Sequence, residues 1–510
     1  MKSRYFFYLL FAAGISGCAK DLDQSPISNP SVDNFYRNTA DFQQAVNGIY
    51  QALHAAPNLN LYDYAVRQFE LGEVRSDNVY APGTGAPRDY VPVNNFDKTL
   101  ATNPYITGLW NDNFNGILRA NIVLDKLNAD AVPDNTTRDR FEGEAKFLRA
   151  FYYFDLVRWV GKVPIFDHVS TPSEALNIPR SPVANVYDLI IADLQTAIAK
   201  LPTSYTAAAD KGRATSYAAK ALLALVYLTR SGPTYNIEGP GMNTNEYAQA
   251  LTLLNDLIGK FSLQATYASV FSYTNKNNSE VIFDMQNLDL GTTANTGLGT
   301  ELPNYMYEQP YGLAVNIGFD GGVVTDAPKP PSNNLINSFE ATDTRDNTSI
   351  LMSYVNQQGS TVNRAQFVKF LDLSKKPLIR FNFASNYPIL RYADVLLMKA
   401  EAILRGGAGG TQADVDALVN QVRNRAGLPS ITNVNLDMLL TERRHEFMAE
   451  GKRWHDLVRT GKVLTVMAAW KAIDDVANKI AVPTANDIIY PIPQTQLSVN
   501  PGLYTQNPGY

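Results

Sequence analysis

The chain reads as mainly α-helical, a scaffold of paired helices carrying an irregular, loop-rich half. Three observations predict this. Apolar residues recur at three- and four-residue steps in block after block. Two of those blocks share one grammar. Two long stretches, 58–104 and 285–334, lack that period and are instead rich in Gly, Pro and Tyr.

The N-terminus reads as an export signal over 1–17. Lys2 and Arg4 precede a short apolar run from Tyr5, well under the roughly 20 residues that span a bilayer. Ile15, Ser16 and Gly17 then lead to Cys18, the single cysteine of 510 residues. Small residues just before a cysteine resemble a bacterial lipobox, so Cys18 is expected to carry lipid and begin the mature chain. The competing reading is a secretory signal with an incidental cysteine. Residues 18–35 are polar and acidic at their start and suit a lipidated tether. Lys20 and Asp21 resemble a post-cysteine signal for the outer face of the outer membrane. One cysteine allows no disulfide within the chain, so the fold must stand on its core.

Composition narrows the function classes. Apolar residues make up 45% and charged residues 18%, with a net charge of −5. No basic tract is present, so no nucleic acid or other polyanion is expected as partner. Tyrosine stands at 28 against four tryptophans.

From residue 36 onward the helical blocks follow in order. They are expected at 40–55, 109–127, 138–160, 186–200, 216–230 and 246–260. A second series covers 392–405, 412–425, 436–451 and 454–470. "SYAAKALLALVYLTRSG" from Ser216 aligns without gaps on "RYADVLLMKAEAILRGG" from Arg391. Tyr-Ala matches near the start and Arg-x-Gly at the end. Small residues at fixed places let paired helices pack closely, as in tetratricopeptide-like arrays. The globular region 36–510 divides at the second irregular stretch, into 36–284 and 285–510. Structureless stretches this long are usually functional.

Four segments resemble the SusD/RagB family. They are "FEGEAKFLRAFYYFDLVRWVGKVPI" from Phe141, "YPILRYADVLLMKAEAIL" from Tyr387, "ERRHEFMAEGKRWHDLVRTGK" from Glu442 and "YPIPQTQLSVNPGLYTQNPGY" from Tyr490. "SFEATDTRD" from Ser338 fits between them. The resemblance implies an outer-membrane lipoprotein of Bacteroidetes, facing the cell surface. It implies a lid on a SusC-like TonB-dependent transporter, receiving a nutrient that is most often a glycan. It also implies four tetratricopeptide-like units beside an irregular ligand-binding half. Peptide capture, as in some members, is the alternative ligand class.

An enzyme finds little support. "RRHEFMAEGKRWHD" lacks His-Glu-x-x-His spacing, and on a helix His445 and Glu450 would lie roughly 140° apart. A stripe of Glu442, Glu446 and Glu450, pairing with Arg443 and Arg453, is the structural reading. No phosphate loop, nucleophile elbow, metal motif or cofactor fingerprint stands out. A polysaccharide-degrading enzyme of the envelope remains the reading from another class.

The expected ligand residues lie in the two irregular stretches. The C–H face of a pyranose packs on a ring, and its hydroxyls need directional polar partners. Tyr80, Tyr90, Tyr305, Tyr307 and Tyr311 are expected to offer rings. Asp77, Asn78 and Asn304 are expected to offer polar groups. Tyr305 and Tyr307 would share a face if extended. Each tyrosine could equally seal its loop onto the scaffold. Trp159 and Trp454 are expected to pack the scaffold, Trp110 to open a helix and Trp470 to lie on one. No tryptophan falls in either stretch, so starch is not the favoured glycan.

Overall fold

The computed structural model describes residues 35–54, 62–83, 89–291, 297–306, 329–355, 359–372, 378 and 382–510. The leading helices are α1 (Thr39–Tyr50), α2 (Pro104–Lys126), α3 (Asn135–Val160), α4 (Val183–Lys200), α5 (Ser216–Arg230) and α6 (Tyr247–Asn255). Strand β1 (Val281–Met285) follows them. Strand β2 (Tyr387–Arg391) leads into α7 (Tyr392–Leu404), α8 (Gln412–Arg425), α9 (Leu436–Phe447), α10 (Arg453–Thr460) and α11 (Val463–Asp474).

Local chemistry sets the starts. Asn38 accepts from the N–H groups of Ala40 and Asp41, and Asp134 accepts from Thr137 at 2.7 Å. Pro104 opens α2, where its missing N–H costs nothing, behind an Asn103 cap. Thr411 and Asp414 cap α8 reciprocally.

Packing then follows sequence order. Helix α2 packs on α3, α3 on α4, α4 on α5, α5 on α6, α6 on α7, α7 on α8 and α8 on α9. This is the nearest-neighbour array that the repeat grammar predicts, since each helix buries its apolar face on the next. Helix α3 touches α1, α2, α4 and α5, so it is buried almost all round. Its polar residues are paired accordingly. Arg149 donates to Asp193 at 2.7 and 2.9 Å, and Asp155 accepts from Gln68, Asn113 and Trp159.

The array is interrupted once. Helices α6 and α7 are neighbours in space, yet residues 256–391 separate them in the chain. That excursion leaves and returns through β1 and β2, which pair antiparallel from Val281↔Arg391 to Met285↔Tyr387. Two further short pairs lie inside it, Ile350–Leu351 with Gln366–Phe367 and Tyr354–Val355 with Thr361–Val362.

The acidic stripe does not pair along its own helix. Helix α9 ends at Phe447, so Glu450 lies beyond it and the expected helix to 451 is shortened. Glu446 and Glu450 receive Arg391, the last residue of β2, with Glu450 Oε1 at 2.8 Å. Arg391 also reaches Glu280 at 2.8 Å, and Lys369 donates to Glu450. Glu442 and Glu446 receive Arg345 from the excursion. Arg443 turns instead to Asp456 at 2.8 Å, and Arg453 to Asp77 at 2.8 Å. The stripe thus fastens the excursion to the scaffold. The block expected at 454–470 splits into α10 and α11, because Gly461 takes a left-handed φ of 80° and closes the first of them.

Candidate functional site

The two irregular stretches meet. Val79 forms a bridge with Pro331, and the Tyr80 N–H donates to Pro330 O at 3.4 Å. Ser332 N–H donates to Asn78 O at 2.8 Å. Asp63 accepts from Thr300 Oγ1 at 2.7 Å and from the Glu301 N–H at 3.0 Å. These bonds stitch a seam between the segments around 62–80 and around 300–332.

The first stretch is not the open loop expected. Tyr64–Gln68 is helical and runs into a wide turn at Phe69–Glu73, and residues 63–79 are all buried. The charged residues of 63–79 mislead a reading by polarity, because each has a partner inside the fold. Arg67 pairs with Asp112. Glu73 accepts from Ala449 N–H at 2.7 Å and from Gly451 N–H at 3.2 Å. Arg75 lies over the rings of Tyr490 at 4.4 Å and Phe96 at 4.6 Å, a desolvated cation–π arrangement.

Asp77 and Asn78, expected as ligand partners, are part of this buried segment and are 1% and 0% exposed. Arg453 holds both Asp77 oxygens, and Arg444 adds a third contact at 3.1 Å. Burial alone would push the Asp77 carboxyl up, but the Arg444 and Arg453 guanidiniums more than reverse it, to about 2. Asn78 donates to Glu73 at 2.7 Å and accepts from Arg444 at 2.7 Å. Both side chains are consumed inside the fold, so they correct the expectation of a ligand-facing pair.

The tyrosines divide. Tyr80 is partly buried, its hydroxyl donates to Asp475 at 3.1 Å, and its ring meets Trp470 edge-on at 6.2 Å. Burial and then Asp475 push its phenol up to about 12. A tryptophan thus does reach the first stretch, from α11. Tyr90 and Tyr305 come together around Lys329, whose Nζ lies 4.9 and 5.1 Å from their ring centroids. Lys329 also pairs with Glu70. Tyr305 and Asn304 sit in a helical turn, Leu302–Met306, so the extended geometry expected for 305 and 307 is not adopted at 305. Tyr307, Tyr311 and Cys18 lie outside the described residues.

Two rings were not anticipated. Tyr62 stands 5.6 Å from Tyr305 and 4.5 Å from Tyr105. Tyr62 lies at the edge of the first stretch and Tyr105 on the first turn of α2. Only the fold joins them, because 42 residues lie between Tyr62 and Tyr105 in the chain. Burial raises the phenols of Tyr105 and Tyr305, with Glu70 adding to the effect at Tyr105 and Glu301 at Tyr305, so both rings stay neutral donors at ordinary pH. Tyr62 and Tyr305, partly buried, can offer rings and phenolic hydroxyls, while Tyr90 and Tyr105, 3% and 4% exposed, and Lys329, paired with Glu70, support them from within.

Among the described residues, no group of three or more His, Cys, Asp and Glu side chains is arranged to hold a metal ion. His445 donates to or accepts from Ser338 at 2.8 Å and stacks on Phe339 at 4.2 Å, and His455 packs on Trp159 at 4.0 Å. Trp159 and Trp454 are wholly buried in the scaffold, and Trp110 lies within α2 rather than at its start.

The comparisons give the family of the chain. The description "SusD family" matches residues 267–510, and "Starch-binding associating with outer membrane" matches residues 22–228. SusD-like protein P2 of Formosa agariphila is 28% identical over the whole of both chains. A laminarin binding SusD-like protein superposes with a TM-score of 0.75 at 27% identity, covering 93% of this chain and all of its own. Surface glycan-binding protein A from Bacteroides uniformis superposes with a TM-score of 0.74 at 25% identity, covering 92% of this chain and all of its own. The chain belongs to the SusD/RagB family. That family is non-catalytic, and the chain is accordingly not an enzyme.

Proposed function

We propose that the chain captures an oligosaccharide at the tyrosine seam, from a lipid-anchored position on the outer membrane, and delivers it to a SusC-like TonB-dependent transporter. The observation that carries this reading is the tyrosine cluster where two irregular stretches are stitched together: Tyr90 and Tyr305 flank Lys329, and Tyr62 joins Tyr305 to Tyr105, with Tyr62 and Tyr305 only partly buried. A tyrosine presents an apolar face to sugar C–H groups and a hydroxyl to sugar oxygens at once. The names of a laminarin-binding and a surface glycan-binding relative support a glycan over a peptide. The family description "Starch-binding associating with outer membrane" supports the location, and Cys18, behind Ile15, Ser16 and Gly17, is the anchor point in this reading.

The test is a glycan array followed by calorimetry on the best binder. Affinity in the micromolar to millimolar range, about −4 to −8 kcal/mol, suits a cargo that must be released. Tyr305→Ala should weaken binding by about 1–3 kcal/mol with little change in Tm, because the ring is only partly buried. Binding unchanged by Tyr305→Ala would remove the seam from the site.

A further inference from the structure

A recess lies on a face of α2 away from the seam. Tyr105, at the seam, and Trp110 are about 140° apart around the helix at about 100° per residue. Trp110 lines a groove of about 600 Å³. Its floor is a run of rings. Trp110 stands 6.2 Å from Tyr504 and 4.9 Å from Phe114, and Phe114 stands 5.7 Å from Phe166. The walls come from α2, from 164–176 and from 496–504, three segments remote in sequence. They are tied to one another. Asn500 Nδ2 donates to Leu176 O at 2.7 Å, and Asn121 Nδ2 donates to Phe166 O at 2.9 Å and His168 O at 3.1 Å. The shape is therefore set before any ligand arrives.

The chemistry of the lining is selective. No Lys, Arg, Asp or Glu lines the groove, although 18% of the chain is charged. The polar groups are amides and hydroxyls, among them Asn111, Asn115, Gln496 and Ser170, with a single imidazole, His168. Ser170 Oγ is buried and has no partner among the described residues. An acidic sugar or a peptide carboxylate would find only His168, whose imidazole is already paired with Asp167 at 2.7 Å. An acyl chain would bury the amide fringe without satisfying it. A neutral sugar answers both parts of the lining, with C–H faces on the rings and hydroxyls on the amides.

We propose that this groove is a second carbohydrate site, separate from the seam, that binds a neutral oligosaccharide. The proposal rests on the reading that the chain is a glycan-capturing protein.

Leu118 and Val499, 45% and 60% exposed on the groove rim, allow a test that spares the core. Laminarihexaose, a neutral glucan, is titrated calorimetrically into the full chain, into Tyr305→Ala, into Leu118→Glu/Val499→Glu, and into the combined variant. The expected result is a binding event that survives Tyr305→Ala and is lost from the combined variant. Asn111→Ala/Gln496→Ala gives a second probe without added charge, and should weaken that surviving event at least about tenfold. It decides the matter if the charged variant melts early. Loss of all binding in Tyr305→Ala would overturn the groove and leave the seam reading in place. Binding insensitive to both groove variants would do the same. A single event, lost in the groove variants and untouched by Tyr305→Ala, would overturn the seam and uphold the groove. No binding of laminarihexaose by the unmodified chain would overturn the groove proposal, while the seam would still be judged on the glycan array.

Discussion

Asp77 is 1% exposed and held by two guanidiniums, and its carboxyl sits at about 2. A folded-state value below the ordinary one means the charged form favours folding. The stability it lends is present above about pH 4 and is lost as the pH falls toward 2, amounting to about 2 kcal/mol. Asp77→Asn should therefore cost about 3 kcal/mol near neutrality, because Arg453 and Arg444 are left buried without their counterion. The variant should lose less additional stability than the unmodified chain between about pH 4 and pH 2. Urea titrations at several pH values measure both effects, and parallel pH profiles would show that Asp77 is not the linked group. At this scale the sequence was deceptive. Asp77 and Asn78 read as ligand groups because acids and amides in an unpatterned stretch are normally exposed. Nothing local announces that Arg453, more than 370 residues further on, reaches back to them.

The elements are held at a few close approaches. Gly451 follows α9 with a left-handed φ of 65°, and a β-carbon there would lie 2.5 Å from Gln68 O. Gly72 faces it, with a β-carbon position 2.5 Å from Gly451 O. The buried turn of the first stretch thus lies directly on the backbone after α9. Gly451→Ala should destabilise by about 1–3 kcal/mol through that clash and the strained φ together. Chemical denaturation checks this, and a variant as stable as the parent would mean that the approach can open at no cost. Helix positions were legible where caps and periods agree. Ser216–Arg230 and Gln412–Arg425 fall where the spacing predicts them, behind Thr215 and Thr411. The buried helix at Tyr64–Gln68 was not legible, because it is five residues long and Arg67 and Gln68 break its apolar run. Strands β1 and β2 were not either, since each is five residues long and finds its partner across more than 100 residues.

At the scale of the molecule, a nearest-neighbour array carries one long excursion, closed at its base by β1 and β2 and locked by Arg391, Arg345 and Lys369 onto the acidic stripe. Those cations reach carboxylates on or just after α9, so that end of the scaffold positions the excursion against the first stretch. The seam is the product of that docking. Tyr80, Tyr90 and Tyr305 were legible as aromatic residues in unpatterned chain. Tyr62, Tyr105 and Lys329 became visible only when packing brought their segments together. The central claim, that a glycan binds at this seam, is tested most directly by hydrogen–deuterium exchange on the full chain with and without the best binder from the array. The account predicts that added glycan slows exchange at 62–64, 89–91, 302–306 and 329–332, while the amides of α7 and α8 are unchanged. Protection confined to other parts of the molecule, with those four segments exchanging as in the free protein, would contradict it.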